Sequence, residues 1–188
     1  MRVVVIGSSG SGKSTFARRL AASLDAPRIE LDALNWGPGW LNRSRDDPEA
    51  FARRLEAAIA GERWITDGNY RAAMLRTLPR ATDLVWLDYP RPLVMARVIR
   101  RSVLRSLDGR ELWEGTGNRE DFRRWLDKEH PIRWAWDTFH RRRAEYEALF
   151  ADPRLSSVRK HRLRRPGDAR TLEAQLVSRF RSSLGVRA

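Results

Sequence analysis

The chain has 188 residues, a formal charge of +13 and no cysteine. It contains no run of about 18 apolar residues, so a transmembrane helix is not expected, and disulfides and thiolate metal sites are excluded. All basic residues except Lys13, Lys128 and Lys160 are arginine; the charge therefore fits compositional bias and the handling of polyphosphates better than a nucleic-acid surface, which stays open as a less favoured partner. The length predicts one domain over 1–188. Met1 leads straight into a strand, so no leader is expected. These features predict a cytoplasmic location.

In chain order, Arg2-Val3-Val4-Val5-Ile6 predicts a short buried strand, and Phe16 to Leu24 a helix. Arg28 to Leu31 predicts a second strand ending at Asp32. The Gly-, Pro- and Trp-rich stretch from Ala33 to Asp47 predicts a loop. Asp47-Pro48-Glu49 opens a helix, with Asp47 as N-cap and Pro48 in the first turn. Arg63 to Thr66 and Leu84 to Leu87 predict strands three and four, with a short helix over 72–78 between them. Pro92 starts a helix running through Val103. Residues 106–118 predict a loop, 119–150 a mostly helical stretch broken at His130-Pro131, and Ser156 to Arg159 a fifth strand. A last helix follows Gly167-Asp168, with Leu172, Leu176 and Phe180 on one face. Alternating strands and helices imply an α/β fold with a parallel sheet. The loops after residues 6, 31, 66 and 87 should then gather at its carboxyl edge, where open α/β sheets bind ligands.

The stretch between the first strand and helix is Gly7-Ser8-Ser9-Gly10-Ser11-Gly12-Lys13-Ser14-Thr15. Strand, glycine-rich turn, Lys-Ser and helix form a P-loop in its required context. Its glycines let the backbone present N–H groups to phosphate oxygens, and the helix N-terminus adds positive partial charge. Lys13 is placed to reach the β- and γ-phosphates of ATP, and Ser14 to bind Mg²⁺. A second carboxylate is needed for the metal. Asp67 and Asp32, at two strand ends, compete for that role; Asp32 is also a candidate base for an acceptor hydroxyl. Asn69, Tyr70 and Arg71 follow Asp67-Gly68, and Arg71 is a candidate clamp for an acceptor phosphate.

The helix after strand four carries Arg97, Arg100, Arg101 and Arg105, with 97/101 and 101/105 sharing faces. Like charges so placed call for anions between them, and ATP phosphates would serve. Arg119, Arg123, Arg124, Arg133, Arg141, Arg142 and Arg143 are candidate lid arginines, with Arg119 and Arg142 preferred. Trp36, Trp40, Tyr70 and Trp113 are candidates to stack on an acceptor. Trp64, Trp86, Trp125, Trp134 and Trp136 read as packing residues, and the three histidines as structural or surface groups.

Four segments resemble adenylate-kinase-related P-loop kinases: Gly7 to Thr15; Asp67-Gly68-Asn69-Tyr70-Arg71; Asp88-Tyr89-Pro90; and Arg97-Val98-Ile99-Arg100-Arg101. Residues 1 to about 150 resemble more closely the small bacterial group of DNA topology modulation proteins. The shared pattern is Leu31-Asp32, Trp36, Pro38-Gly39-Trp40 and Trp64-Ile65-Thr66-Asp67-Gly68-Asn69-Tyr70. The resemblance implies a three-layer α/β/α P-loop NTPase fold of the nucleoside-monophosphate-kinase type, with five parallel strands and a helical, arginine-rich lid. It places an acceptor side at about 32–62 and the lid at about 106–145. It implies that Lys13, Arg97 and Arg101 contact ATP and that Arg71 contacts the acceptor phosphate. This chain departs in having Asn69-Tyr70 for Phe-Pro, and it lacks the usual AMP-site pattern after Asp32. The expected activity is transfer of the γ-phosphoryl of Mg·ATP to a small acceptor such as a nucleoside or nucleotide, with Lys13, Asp32, Asp67 and Arg101 carrying the chemistry. The alternatives are a nucleotide-dependent nucleic-acid-binding regulator and an acceptor-free ATPase.

Overall fold

A computed structural model describes residues 1–125, 127–128, 130–183 and 185, with Arg124 described by its backbone alone. Five strands alternate with helices: β1 (Arg2–Gly7), β2 (Arg28–Glu30), β3 (Trp64–Asp67), β4 (Asp83–Leu87) and β5 (Arg159–Leu163). The helices are α1 (Lys13–Leu24), α2 (Leu31–Asn35), α3 (Arg43–Asp46), α4 (Pro48–Ala58), α5 (Arg71–Thr77), α6 (Arg91–Asp108), α7 (Pro131–Ala151) and α8 (Pro166–Ser183). All strand pairs are parallel, in the order β2-β3-β1-β4-β5. This is the expected three-layer α/β/α architecture.

The central strand explains the layering. Alternate side chains of a strand point to opposite faces. Val3 and Val5 of β1 join Phe16, Leu20 and Leu24 of α1 and Leu172 and Leu176 of α8 in one buried layer. Val4 and Ile6 join Phe51 and Leu55 of α4, Ala73 of α5 and Tyr146 of α7 in the other. A strand covered on both faces must be apolar throughout, and Val3 to Ile6 is. The N-cap of α4 is as expected, since the Asp47 carboxylate accepts the Ala50 N–H at 3.0 Å.

Three local expectations change. The stretch after β2 is not a plain loop: it holds α2, a 3₁₀ turn over Pro38–Trp40, and α3. Asp32 consequently sits in the first turn of α2, where a carboxylate suits the helix dipole. The described residues of 119–130 are mainly irregular, with one 3₁₀ turn over Phe122–Arg124, and His130-Pro131 starts α7 instead of breaking it. The fifth strand is Arg159–Leu163, three residues later than expected. Its cations face carboxylates of its neighbour: Arg159 and His161 reach Asp83 of β4, and Arg162 reaches Asp88 just beyond it. Part of the excess positive charge thus serves internal carboxylates. Among the described residues, no helix is long and apolar enough to cross a membrane.

Asp83 is fully buried and accepts hydrogen bonds from His161 at 2.9 Å, Arg179 at 2.6 Å, Arg159 and Thr82. Burial alone would raise its carboxyl, but the bonds from His161, Arg179, Arg159 and Thr82 outweigh it and hold the group well below the usual carboxylate range. A depressed carboxyl adds stability above its unfolded pKa of about 3.9 and loses it as the pH falls further. Asp83→Asn is expected to cost roughly 2 kcal/mol at pH 7, because Arg179, Arg159 and His161, themselves partly exposed, lose the buried charge they bond to. The penalty should shrink below about pH 4, where the unfolded chain's carboxyl takes up a proton while the native one stays ionised, so that the native protein loses the advantage its charge confers. Thermal unfolding of both proteins across pH 3 to 7 checks this.

Candidate nucleotide and acceptor site

Strand β1 ends at Gly7, the loop 8–12 turns back, and α1 begins at Lys13. Gly10 has φ of 86°, and a Cβ there would lie 2.6 Å from the Val94 carbonyl oxygen of α6. Only glycine therefore lets α6 pack directly on the phosphate-binding loop. That packing aims the α6 arginines. Arg97 donates to the Ser11 carbonyl at 3.2 Å and lies 5.4 Å from the centre of the Tyr89 ring. Arg101 donates to Ser9 Oγ at 3.0 Å. Both arginines expected at ATP thus touch the loop itself, whereas Arg100 is exposed.

Lys13 folds back to donate to the Ser8 carbonyl at 3.0 Å. Burial pushes its ammonium down to about 8, against the upward pull of Asp32 and Asp67; Arg101 and Arg142 add to the lowering. The register sets Asp67 opposite Val5, beside the start of the loop. Asp67 accepts from Arg28 at 3.1 Å, and Arg28 also pairs with Glu30 at 2.8 Å. The other Asp67 oxygen, Oδ1, is buried and has no hydrogen-bond partner among the described residues. Such an orphaned carboxylate oxygen fits a cation or its water. Ser14 lines the same cleft. Among the described residues, no group of three His, Asp or Glu could hold a metal alone, so a metal here would need phosphate oxygens as further ligands.

Tyr70 donates to Asp32 Oδ1 at 2.7 Å. Burial first and then the Asp32 charge raise its hydroxyl above the ordinary range, so it stays a donor. Asn69 lines the cleft, but its amide closes a two-way bridge with Gly7, donating to the carbonyl at 2.7 Å and accepting from the N–H at 3.4 Å. The residue expected at the acceptor therefore braces the root of the loop. Arg71 opens α5 on the exposed rim.

The far wall is aromatic. Trp36 and Trp113 stack with centroids 6.2 Å apart, and Trp40 meets both edge-on at 5.7 and 6.1 Å. Asn118 ties together the two segments that supply this wall: it accepts the Trp40 N–H at 3.0 Å and donates to the Gly37 carbonyl at 2.8 Å. The enclosed cleft is about 420 Å³ and is lined by Ser9, Lys13, Ser14, Asp32, Asp67, Arg101 and the three tryptophans, among others.

Of the expected lid arginines, Arg119 and Arg142 line the cleft, and Arg142 donates to the Asn69 carbonyl at 3.4 Å. Arg133, Arg141 and Arg143 pair with Asp137, Glu145 and Asp88. The Arg124 side chain lies outside the described residues. Two residues read otherwise from sequence also reach the cleft: His130, which is structural in capping α7, and Trp134, expected as a packing residue, both line it. Trp64 and Trp86 are buried in the core as expected, while Trp136 is exposed, with Arg91 over its ring at 3.7 Å. Sequence reasoning also missed Glu30, Asn118 and Glu120, which carry no local pattern.

No protein-family model matches the chain, and no curated protein does. Solved structures do match along nearly its full length. Shikimate kinase from Acinetobacter baumannii, in complex with shikimate, is 18% identical with a TM-score of 0.57, covering 97% of this chain and 93% of that one. Shikimate kinase from Aquifex aeolicus is 19% identical with a TM-score of 0.53, covering 98% and 99%. A gluconokinase from Sinorhizobium meliloti is 18% identical with a TM-score of 0.50, covering 97% and 96%. Identity this low speaks to fold alone. The chain has the three-layer fold of P-loop kinases, the fold of these two shikimate kinases and this gluconokinase.

A phosphate at the P-loop would be held best by a charged Lys13 ammonium. Affinity for a nucleoside triphosphate is therefore expected to fall as the pH rises through about 8 in the ligand-free protein. Calorimetric titration at pH 7 and pH 9 checks this; an affinity independent of pH over that range would show that Lys13 does not carry the contact.

Proposed function

We propose that the protein is a phosphotransferase that moves the γ-phosphoryl of Mg·ATP to a hydroxyl of a small acceptor. The observation that carries this reading is the single cleft in which Lys13 and Ser14 of the P-loop, two strand-end carboxylates and Arg101 and Arg142 face a tryptophan wall. A bare nucleotide switch needs no such second compartment.

In this reading the loop 7–15 holds the triphosphate through its amides and Lys13, with Arg97 and Arg101 beside it. Ser14 and the free oxygen of Asp67 would hold Mg²⁺, which neutralises charge on the phosphates. Asp32, oriented by Tyr70, would take the acceptor's hydroxyl proton. Trp40, Tyr70 and Arg71 would bind the acceptor, with Asn69 serving them from behind through its grip on Gly7. Residues 32–62 form the acceptor side and 106–145 the lid of one functional unit over 1–188. Nucleosides and nucleotides are the first acceptors to consider, in keeping with the resemblance to adenylate-kinase-related proteins and the topology modulation group.

The test is a screen of nucleosides, nucleotides and small alcohols for ADP formation above the rate without acceptor. Lys13→Ala should lower turnover at least about 100-fold while the thermal transition is kept. Retained turnover in that variant sinks the mechanism, and ADP formation that no acceptor accelerates supports the ATPase reading instead.

A further inference from the structure

Helix α6 places Arg101 and Arg105 one turn apart on one face, and both line the cleft. Like charges at this spacing repel. The helix offers no carboxylate of its own before Asp108. The counter-charge comes instead from Glu120, beyond the glycine-rich turn. Its side chain is only 2% exposed and its Oε2 lies 3.7 Å from Arg105 Nη1.

The second Glu120 oxygen faces α7. Oε1 lies 3.3 Å from His130 Nε2, on an imidazole that is 4% exposed. His130 Nδ1 accepts the Ile132 N–H and so caps α7. That bond leaves the ring proton on Nε2, toward Glu120. One carboxylate therefore links α6, the segment after the glycine-rich turn, and the start of α7. Neither of its oxygens completes a hydrogen bond among the described residues, so its hold on Arg105 is one of charge at close range, and the neutral His130 ring meets it through its dipole.

Burying a carboxylate so deeply costs several kcal/mol per ion unless its partners compensate, and an apolar side chain would fill the space more cheaply. What the charge adds is direction. Arg101 is lowered by burial and by Arg105, and Glu120 and Asp32 oppose this. Arg101 in turn reaches Ser9 of the P-loop. We infer that Glu120 is a positioning residue that holds Arg101 and Arg105 as a pair aimed at the terminal phosphate of the nucleotide. The inference rests on the phosphotransferase reading of the cleft.

Glu120→Gln keeps the volume and removes the charge. Turnover of Mg·ATP, read as ADP formation, should fall at least about tenfold, because the misdirected arginines no longer meet charge that develops during transfer. Affinity for Mg·ATP, read by calorimetry, should stay within about twofold or tighten slightly, since the P-loop contacts persist and a negative charge has left the site. Glu120→Asp, which restores the charge, should recover most of the rate. Turnover within about twofold of the parent overturns the proposal. So does a fall in rate matched by an equal fall in affinity and a lowered thermal transition, which would mark a purely structural role. If Glu120→Gln does not fold, Arg105→Met tests the same link, and unchanged turnover there is equally fatal. Turnover that needs Lys13 but ignores Glu120 defeats this inference alone, whereas turnover that survives Lys13→Ala defeats the reading on which it rests.

Discussion

Strand β1 lies between β3 and β4, parallel to both, and the site depends on that placement. Register sets Val5 beside Asp67 and Gly7 beside Leu87. Because neighbouring chains run the same way, their carboxyl ends open on one edge, and every loop that carries a polar group there meets the P-loop. Asp67 arrives from β3, Asp32 from the turn after β2, and the α6 arginines from the helix that follows β4. Were β3 to slip by one residue, Asp67 would turn to the opposite face of the sheet and the carboxylate beside the phosphate loop would be lost.

Charge is the second constraint on this edge. Lys13, Arg101, Arg105 and Arg142 surround a small volume without forming a bridge to one another, and each is balanced locally. Arg101 and Lys13 rest on oxygens of Ser9 and Ser8, Arg105 faces Glu120, and Arg142 divides itself between Asn69 and Glu145. Cations satisfied so weakly are easily drawn to a stronger anion. The same residue type does the opposite work at the far edge, where Arg159, Arg179 and Arg162 are locked onto Asp83 and Asp88. One composition thus serves recognition at one edge of the sheet and cohesion at the other.

The parts that could be read from sequence are those written locally. An apolar run followed by a glycine-rich turn and Lys-Ser specifies β1, the P-loop and α1, and Asp47-Pro48 specifies the start of α4. Strand β5 lies three residues beyond its expected place because Arg-Lys-His-Arg-Leu shows no apolar alternation; Arg159, His161 and Arg162 are satisfied by carboxylates on and beside β4, and Lys160 by carbonyls of Phe150 and Asp152, which only the folded chain brings near. Asn69 sits where the related motif has an apolar residue, and nothing local reveals that its partner is Gly7, on the neighbouring strand. Glu120 and His130 read as an ordinary surface acid and an isolated histidine, since their pairing exists only once α6 and α7 have packed. Asn118 is invisible for the same reason, its partners lying about eighty positions earlier.

That asparagine has a consequence for how the molecule can change over time. The nitrogen and oxygen of its side-chain amide satisfy a carbonyl and an N–H of the Gly37–Trp40 turn, and the residue is buried there. Insertion or exchange in either segment alone would leave polar backbone groups sealed without partners. The Gly37–Trp40 turn and the segment that carries Asn118 are therefore bound to change together, although about eighty positions separate them. A chimera meant to import a new acceptor preference would have to carry both as a matched set.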